Sequence, residues 1–259
     1  MSFALLNLLY TAGLLLGMLL SLEVGRRIGR RRLAEDADGA RAGIGTVEGA
    51  ILALLGLLIA FSFSGAAARY DQRRQQIVDE ASDISSAYAI VDLLPPEVQP
   101  PLRERFRQYV DSRLEAYRRI PDLAVAKIEL DRSKVLQNDI GTEAVRATRE
   151  PPYQQAALQV LPAIGKMINI SSQRTAALYT HPPTIIFVML GGRMLVGSLL
   201  AGYGMAGTKS RNWLHAAAFA VVLSLTFYVI RDLEYPRLPG LVGMNNFDNV
   251  LVELRNSMQ

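Results

Sequence analysis

Apolar and polar positions divide the chain into two textures. Residues 3–22 form a run without a single charge, and residues 45–68, 184–206 and 213–230 are nearly as apolar, interrupted only by Glu48, Arg193 and His215. At ~1.5 Å of rise per residue, about 20 residues cross the ~30 Å hydrocarbon layer. The pattern predicts four membrane-spanning helices, hence a multi-pass protein of the cell (inner) membrane whose first partner is the lipid bilayer. A cleaved signal sequence is the alternative for residues 3–22. Against it, no basic stretch precedes the run, the run is too long, and the arginines follow it.

Between the second and third spans the pattern changes to helical amphipathicity. Ile77, Ile84, Ala87 and Ile90/Val91 recur at steps of three or four, and no Gly or Pro interrupts residues 67–94. The second span is therefore expected to continue beyond the membrane as one long helix until Pro95-Pro96. A further helix follows Pro100-Pro101, with Phe106, Tyr109/Val110, Leu114 and Tyr117 on one stripe, and Pro121 ends it. Two more are expected over residues 121–149 and 152–178, the last holding Pro162 as a kink. The organisation read from the sequence is all-α. Residues 1–68 carry spans 1 and 2 with a basic loop at 23–44, residues 69–181 an extramembrane helical domain, residues 182–232 spans 3 and 4, and residues 233–259 a tail.

Composition sharpens this. Mean hydropathy is +0.18 and net charge +4, with no cysteine and only His181 and His215. Thiolate chemistry, disulfides and multi-histidine metal sites are excluded. Residues 69–181 hold 16 Lys/Arg against 15 Asp/Glu, at the i,i+3 and i,i+4 spacing of a solvated helix face. The positive excess sits in the first short loop, at Arg26, Arg27, Arg30, Arg31, Arg32 and Arg41 against Glu35, Asp36 and Asp38, with Lys209 and Arg211 in the other short loop. By the positive-inside rule both short loops are cytoplasmic and the helical domain extracytoplasmic. The alternative reads Arg69, Arg73 and Arg74 as the marker and puts the domain in the cytoplasm. The arginine run is taken as an orientation signal, and no nucleic-acid partner is expected. Gly13 and Gly17, and Gly191, Gly192 and Gly197, are candidates for close helix contact. Arg193, near mid-span, requires a protein or water environment. Glu48, at the other end of its own span, is about 10 Å away in depth. Lining a permeation path and a structural contact stay open for Arg193.

Residues 56–81, GLLIAFSFSGAAARYDQRRQQIVDEA, resemble the second membrane helix of bestrophin channels. The exit RYDQRRQQIVDEA, the stretch AYAIVDLLPPEVQ, the triplet HPP before the third span and the closing RDLEYPR with LRNSM resemble the bacterial bestrophin-like domain family over residues 48–258. The resemblance implies a homo-oligomer, a pentamer in bestrophins, whose second helices line a pore. It implies a neck at Phe61, Leu57 and Ala53, where Ala53 is smaller than the residue expected. It also implies the soluble helices lie in the cytosol, against the orientation read from charge. Animal bestrophins bind calcium through an acidic segment after the last span; Asp232, Glu234 and Asp248 offer oxygens here, without EF-hand spacing. Asp232 and Glu234 are instead expected to contact Arg69 or Arg73 at the helix exit. No metal and no cofactor are expected.

Fingerprints of P-loops, nucleophile elbows and dinucleotide sites are absent, and neither histidine has a nucleophile or ligand partner in view. The chain is read as a non-enzyme. The function expected is conduction of inorganic ions, with anions such as chloride favoured by Arg193 and the net positive charge. The alternative is a non-conducting, membrane-anchored helical sensor or scaffold.

Overall fold

The computed structural model describes residues 3–35, 44–120, 122–207, 213–238 and 240–258. Asp36, Asp38, Arg41, Pro121, Lys209 and Arg211 lie outside the described residues. Eight α-helices are described: α1 (Phe3–Glu35), α2 (Ile44–Ala89), α3 (Gln99–Arg118), α4 (Leu123–Ala147), α5 (Ala157–Ala177), α6 (Thr184–Gly204), α7 (Trp213–Glu234) and α8 (Asn249–Ser257). Among the described residues there is no strand. Four helices are long and apolar enough to cross a membrane: α1, α2, α6 and α7. The 23–44 segment, read as a loop, is helical through Glu35, so Arg26, Arg27 and Arg30–Arg32 extend α1. The cause is the absence of Pro from that stretch and the high helix propensity of Arg and Leu.

The chain forms two compact units, Met1–Tyr70 with Pro182–Val242, and Asp71–His181 with Gly243–Gln259. In the first unit α1 lies along α6 at glycine-limited distance. A Cβ on Gly25 would overlap the carbonyl oxygen of Leu199, and one on Gly202 the carbonyl oxygen of Leu22. A Cβ on Gly29 would stand 2.6 Å from that of Ala206. Small residues allow such approach where lipid supplies no hydrophobic drive. Gly13 and Gly192 meet nothing within 4 Å, so of the glycines singled out from sequence only Gly17 and Gly197 are in tight contact, at 3.0 Å from Leu195 and Leu55. Met18, Leu22, Leu55, Leu190, Met194, Ala220 and Phe227 fill this unit's core.

In the second unit Ala81, Ile84, Ala87 and Val91 pack with Leu102, Phe106, Tyr109 and Val110 of α3, Ile140 and Ala144 of α4, and Ile164 and Met167 of α5. Local chemistry sets the boundaries. Pro100 and Pro101 sit in the first turn of α3, where their missing N–H groups are not needed. Asp122 caps α4, its Oδ1 accepting from the backbone N–H of Ala124 and Val125 at 3.1 and 3.2 Å. Pro162 lies inside α5, which stays one helix. Residues 233–259, read as a tail, divide: residues 243–258 join this unit, Leu251 being fully buried.

The outward face of the second helix as candidate functional site

α2 is 46 residues long, about 69 Å at ~1.5 Å per residue. Leu55 and Ala66, three turns apart, are buried on one side of it. On the opposite side Ala53, Leu57, Ala60, Ser64 and Ala68 follow at steps of three or four, and every one is exposed, as are Thr46, Gly49 and Ala50. Phe61 flanks this stripe and is 68% exposed; Leu57 is 51% exposed. Beside the stripe α2 also exposes Val47, Leu54 and Phe63, as α1 exposes Leu5, Leu8, Leu9, Leu16 and Leu20. Bulky aliphatics suit lipid tails, whereas a stripe of Gly, Ala, Ser and Thr offers tails little to pack against.

The two charged residues inside the spans are not brought together. Glu48 Oε2 lies 2.9 Å from where a Cβ of Gly204 would stand, eleven residues along α6 from Arg193, or about 16 Å. Glu48 Oε1 is buried without a hydrogen-bond partner among the described residues. Arg193 is exposed and, among the described residues, has neither ion pair nor hydrogen bond.

Where α2 leaves the apolar stretch, Arg69 Nε donates to Glu234 Oε1 and Oε2 at 2.9 and 3.1 Å, with Glu234 buried. Asp232, also buried, accepts from the backbone N–H of Val242 at 2.6 Å, and a Cβ on Gly240 would stand 2.7 Å from its Cγ. Arg73 Nη2 donates to the carbonyl of Thr180 at 2.9 Å. Asp248 accepts from Arg174 Nη2 at 2.7 Å. Among the described residues no group of three His, Asp or Glu is placed to hold a metal ion.

Sequence reasoning missed a cluster in the second unit. The charges there were read as a solvated face, which Glu104–Arg107 and Glu115–Arg119 are. Glu80 of α2, Arg113 of α3 and Arg174 of α5 are not: all three are buried, Arg113 Nε donating to Glu80 Oε1 at 2.7 Å and Arg174 Nη1 to Glu80 Oε2. Burial pushes the Glu80 carboxyl up, and the two guanidiniums outweigh it, so its pKa falls below the usual 4.5. Tyr109 beside them accepts from Gln137 Nε2 at 3.0 Å, and burial pushes its hydroxyl up to about 12. The one available signal was position: Glu80 lies one turn from Ile77 and Ile84, on the buried stripe of its helix.

The sequence model of the bestrophin-like domain matches residues 12–236. The fold is similar to two crystal structures of a bacterial bestrophin homologue from Klebsiella pneumoniae, one carrying a tryptophan-to-alanine and the other a tyrosine-to-alanine substitution. Their TM-scores are 0.66 and 0.64, each at 10% identity, covering 94% and 93% of this chain and 97% and 98% of those chains. At that identity the likeness is one of fold. The comparison with curated protein sequences gives no match.

Proposed function

The chain belongs to the bestrophin-like domain family, and on that premise we propose that it assembles as a homo-oligomer, a pentamer in our reading, whose second helices line a path for inorganic ions. The observation that carries this is the outward stripe of α2, small and weakly polar and left uncovered by the described residues. Leu57 and Phe61 are its bulky positions and form the neck; Ala53, four residues earlier, widens it. A ring of apolar side chains gates ions by dewetting. Chloride, expected from the sequence, is assayed against sodium, because from Gly49 to Ala68 the exposed stripe carries no charge and Asp71 follows on the same helix face.

The test is ion flux through the purified protein in liposomes, with its mass in mild detergent measured alongside. Wild-type protein passes ions, and Phe61→Ala, which removes the largest neck side chain, passes them faster. Absence of flux from both forms, with a monomer in detergent, sinks the channel and leaves the membrane-anchored scaffold.

A further inference from the structure

We infer that Asp71 and Asp79 set the charge selectivity of the path, which passes inorganic cations in preference to anions. This rests on the ion path along α2 proposed above and names the ions it takes. The neck has no means of choosing a sign, because Ala53, Leu57 and Phe61 carry no fixed charge. The choice falls to whatever charge stands on the same line of the helix.

The helical repeat says where that is. Eighteen residues make five full turns, about 27 Å along the axis, and α2 is one helix from Ile44 to Ala89. The residues eighteen positions after Ala53, Leu57 and Phe61 are Asp71, Gln75 and Asp79. Past the apolar stretch the line of the neck therefore continues as acid, amide, acid. Asp71 and Gln75 are exposed and Asp79 is half-buried. Asp71 has neither ion pair nor hydrogen bond among the described residues. Asp79 Oδ1 accepts from Gln75 Nε2 at 2.9 Å, a contact that holds this carboxylate to the line without neutralising it.

Three arginines of the same stretch are turned away. At about 100° per residue, Arg69, Arg73 and Arg74 stand about 120°, 160° and 100° round the helix from Gln75. Each is engaged within its own chain. Arg69 bridges Glu234, Arg73 donates to the carbonyl of Thr180, and the Arg74 guanidinium lies 5.3 Å from the centre of the Phe247 ring. From Ala53 to Ala89 no Lys or Arg falls on the line itself. In a closed ring every copy sets the same groups at the same level, so one aspartate per chain becomes a ring of carboxylates. Such rings line cation paths, as rings of Arg or Lys line anion paths, and low-dielectric walls concentrate their field.

The test is the reversal potential of the full-length protein in a planar bilayer under a sodium chloride gradient. It is measured in the wild type and in Phe61→Ala, whose wider neck keeps both carboxylates. The expected reversal lies on the sodium side of zero, and Asp71→Asn with Asp79→Asn moves it toward the chloride side. Asp71→Glu, which keeps the charge, leaves it in place. The chain has no cysteine, so charge can also be set in a conducting Asp71→Cys protein after it has folded. A thiol reagent bearing a sulfonate restores the sodium preference there, and one bearing a quaternary ammonium lowers it further. A wild-type reversal on the chloride side overturns the inference. So does a reversal that neither the neutral variants nor the thiol reagents move. Absence of current from both the wild type and Phe61→Ala overturns the path itself, a distinguishable failure.

Discussion

Arg113 Nε lies 2.7 Å from Glu80 Oε1 with both side chains at 1% exposure or less, and Arg174 closes on the other oxygen of the same carboxylate. One carboxylate thus serves two buried guanidiniums from different helices. Removing one partner of a buried ion pair costs about 3–5 kcal/mol, because a charge is left without compensation. Glu80→Ala is expected to lower stability by that order, read as a fall in the unfolding midpoint of the detergent-solubilised chain. A fall no larger than that of the exposed Glu104→Ala contradicts it. The pH dependence has a fixed sign. A carboxyl whose folded pKa is depressed contributes stability above its unfolded value, here 4.5, and loses it as pH falls through the folded value. Acid therefore destabilises the wild type below about pH 4.5 more steeply than Glu80→Gln.

Tyr109 titrates in the other direction. Its hydroxyl moves from 10.0 to about 12, so the unfolded chain releases that proton first. The stability it contributes is intact below pH 10 and is lost between pH 10 and about 12. Alkaline unfolding followed by circular dichroism in that window is expected to flatten in Tyr109→Phe. Identical curves for the two proteins count against it.

Gly202 and Gly192 make a matched pair on α6. A Cβ at Gly202 would meet the Leu22 backbone, and a Cβ at Gly192 meets nothing within 4 Å. Gly202→Ala is expected to cost about 1–3 kcal/mol or more, as overpacking does. Gly192→Ala is neutral or stabilising by a few tenths up to about 1 kcal/mol, from reduced backbone entropy in a helix. Melting temperatures of the two variants, side by side, decide it.

Orientation is tested with the same thiol-free background. Ser85 and Asn256 are exposed and belong to one unit, while Arg31 is exposed on the basic end of α1. By the positive-inside rule, Ser85→Cys and Asn256→Cys are labelled in intact cells by an impermeant reagent and Arg31→Cys is not. Labelling of Arg31→Cys alone reverses the orientation. Different outcomes at Ser85 and Asn256 contradict their shared unit.

What the sequence made legible was whatever repeats along one helix. Apolar length located α1, α2, α6 and α7, and steps of three and four picked out Ile84, Ala87 and Val91, or Phe106, Tyr109 and Val110, as buried. Contacts between helices leave no such period. Glu80 meets Arg174 across 94 positions, and both residue types are commonest on surfaces, so the cluster reads as solvated until the fold is known. The same holds for close packing. Spacing singled out Gly17 and Gly197, which do pack closely, and Gly13 and Gly192, which do not; the closest approaches are at Gly202 and at Gly25 and Gly29, the last two beyond the uncharged run where Arg-rich polarity masks a packing face. On α2 the sequence supplied a ridge at Ala53, Leu57 and Phe61, and the structure supplies its exposure.

The attachment of residues 243–258 to the second unit has a consequence for biogenesis. Arg255 makes a bidentate bridge to Asp111 at 2.7 and 3.0 Å, Asp248 binds Arg174, and Leu251 enters the core. These groups leave the ribosome only after α6 and α7 have been made, so α3, α4 and α5 must wait, without their last buried neighbours, while two helices are inserted into the bilayer. The unit closes only after both of those helices have been made. A chain whose synthesis stalls before residue 243 exposes an unfinished core, a state that quality-control proteases can recognise.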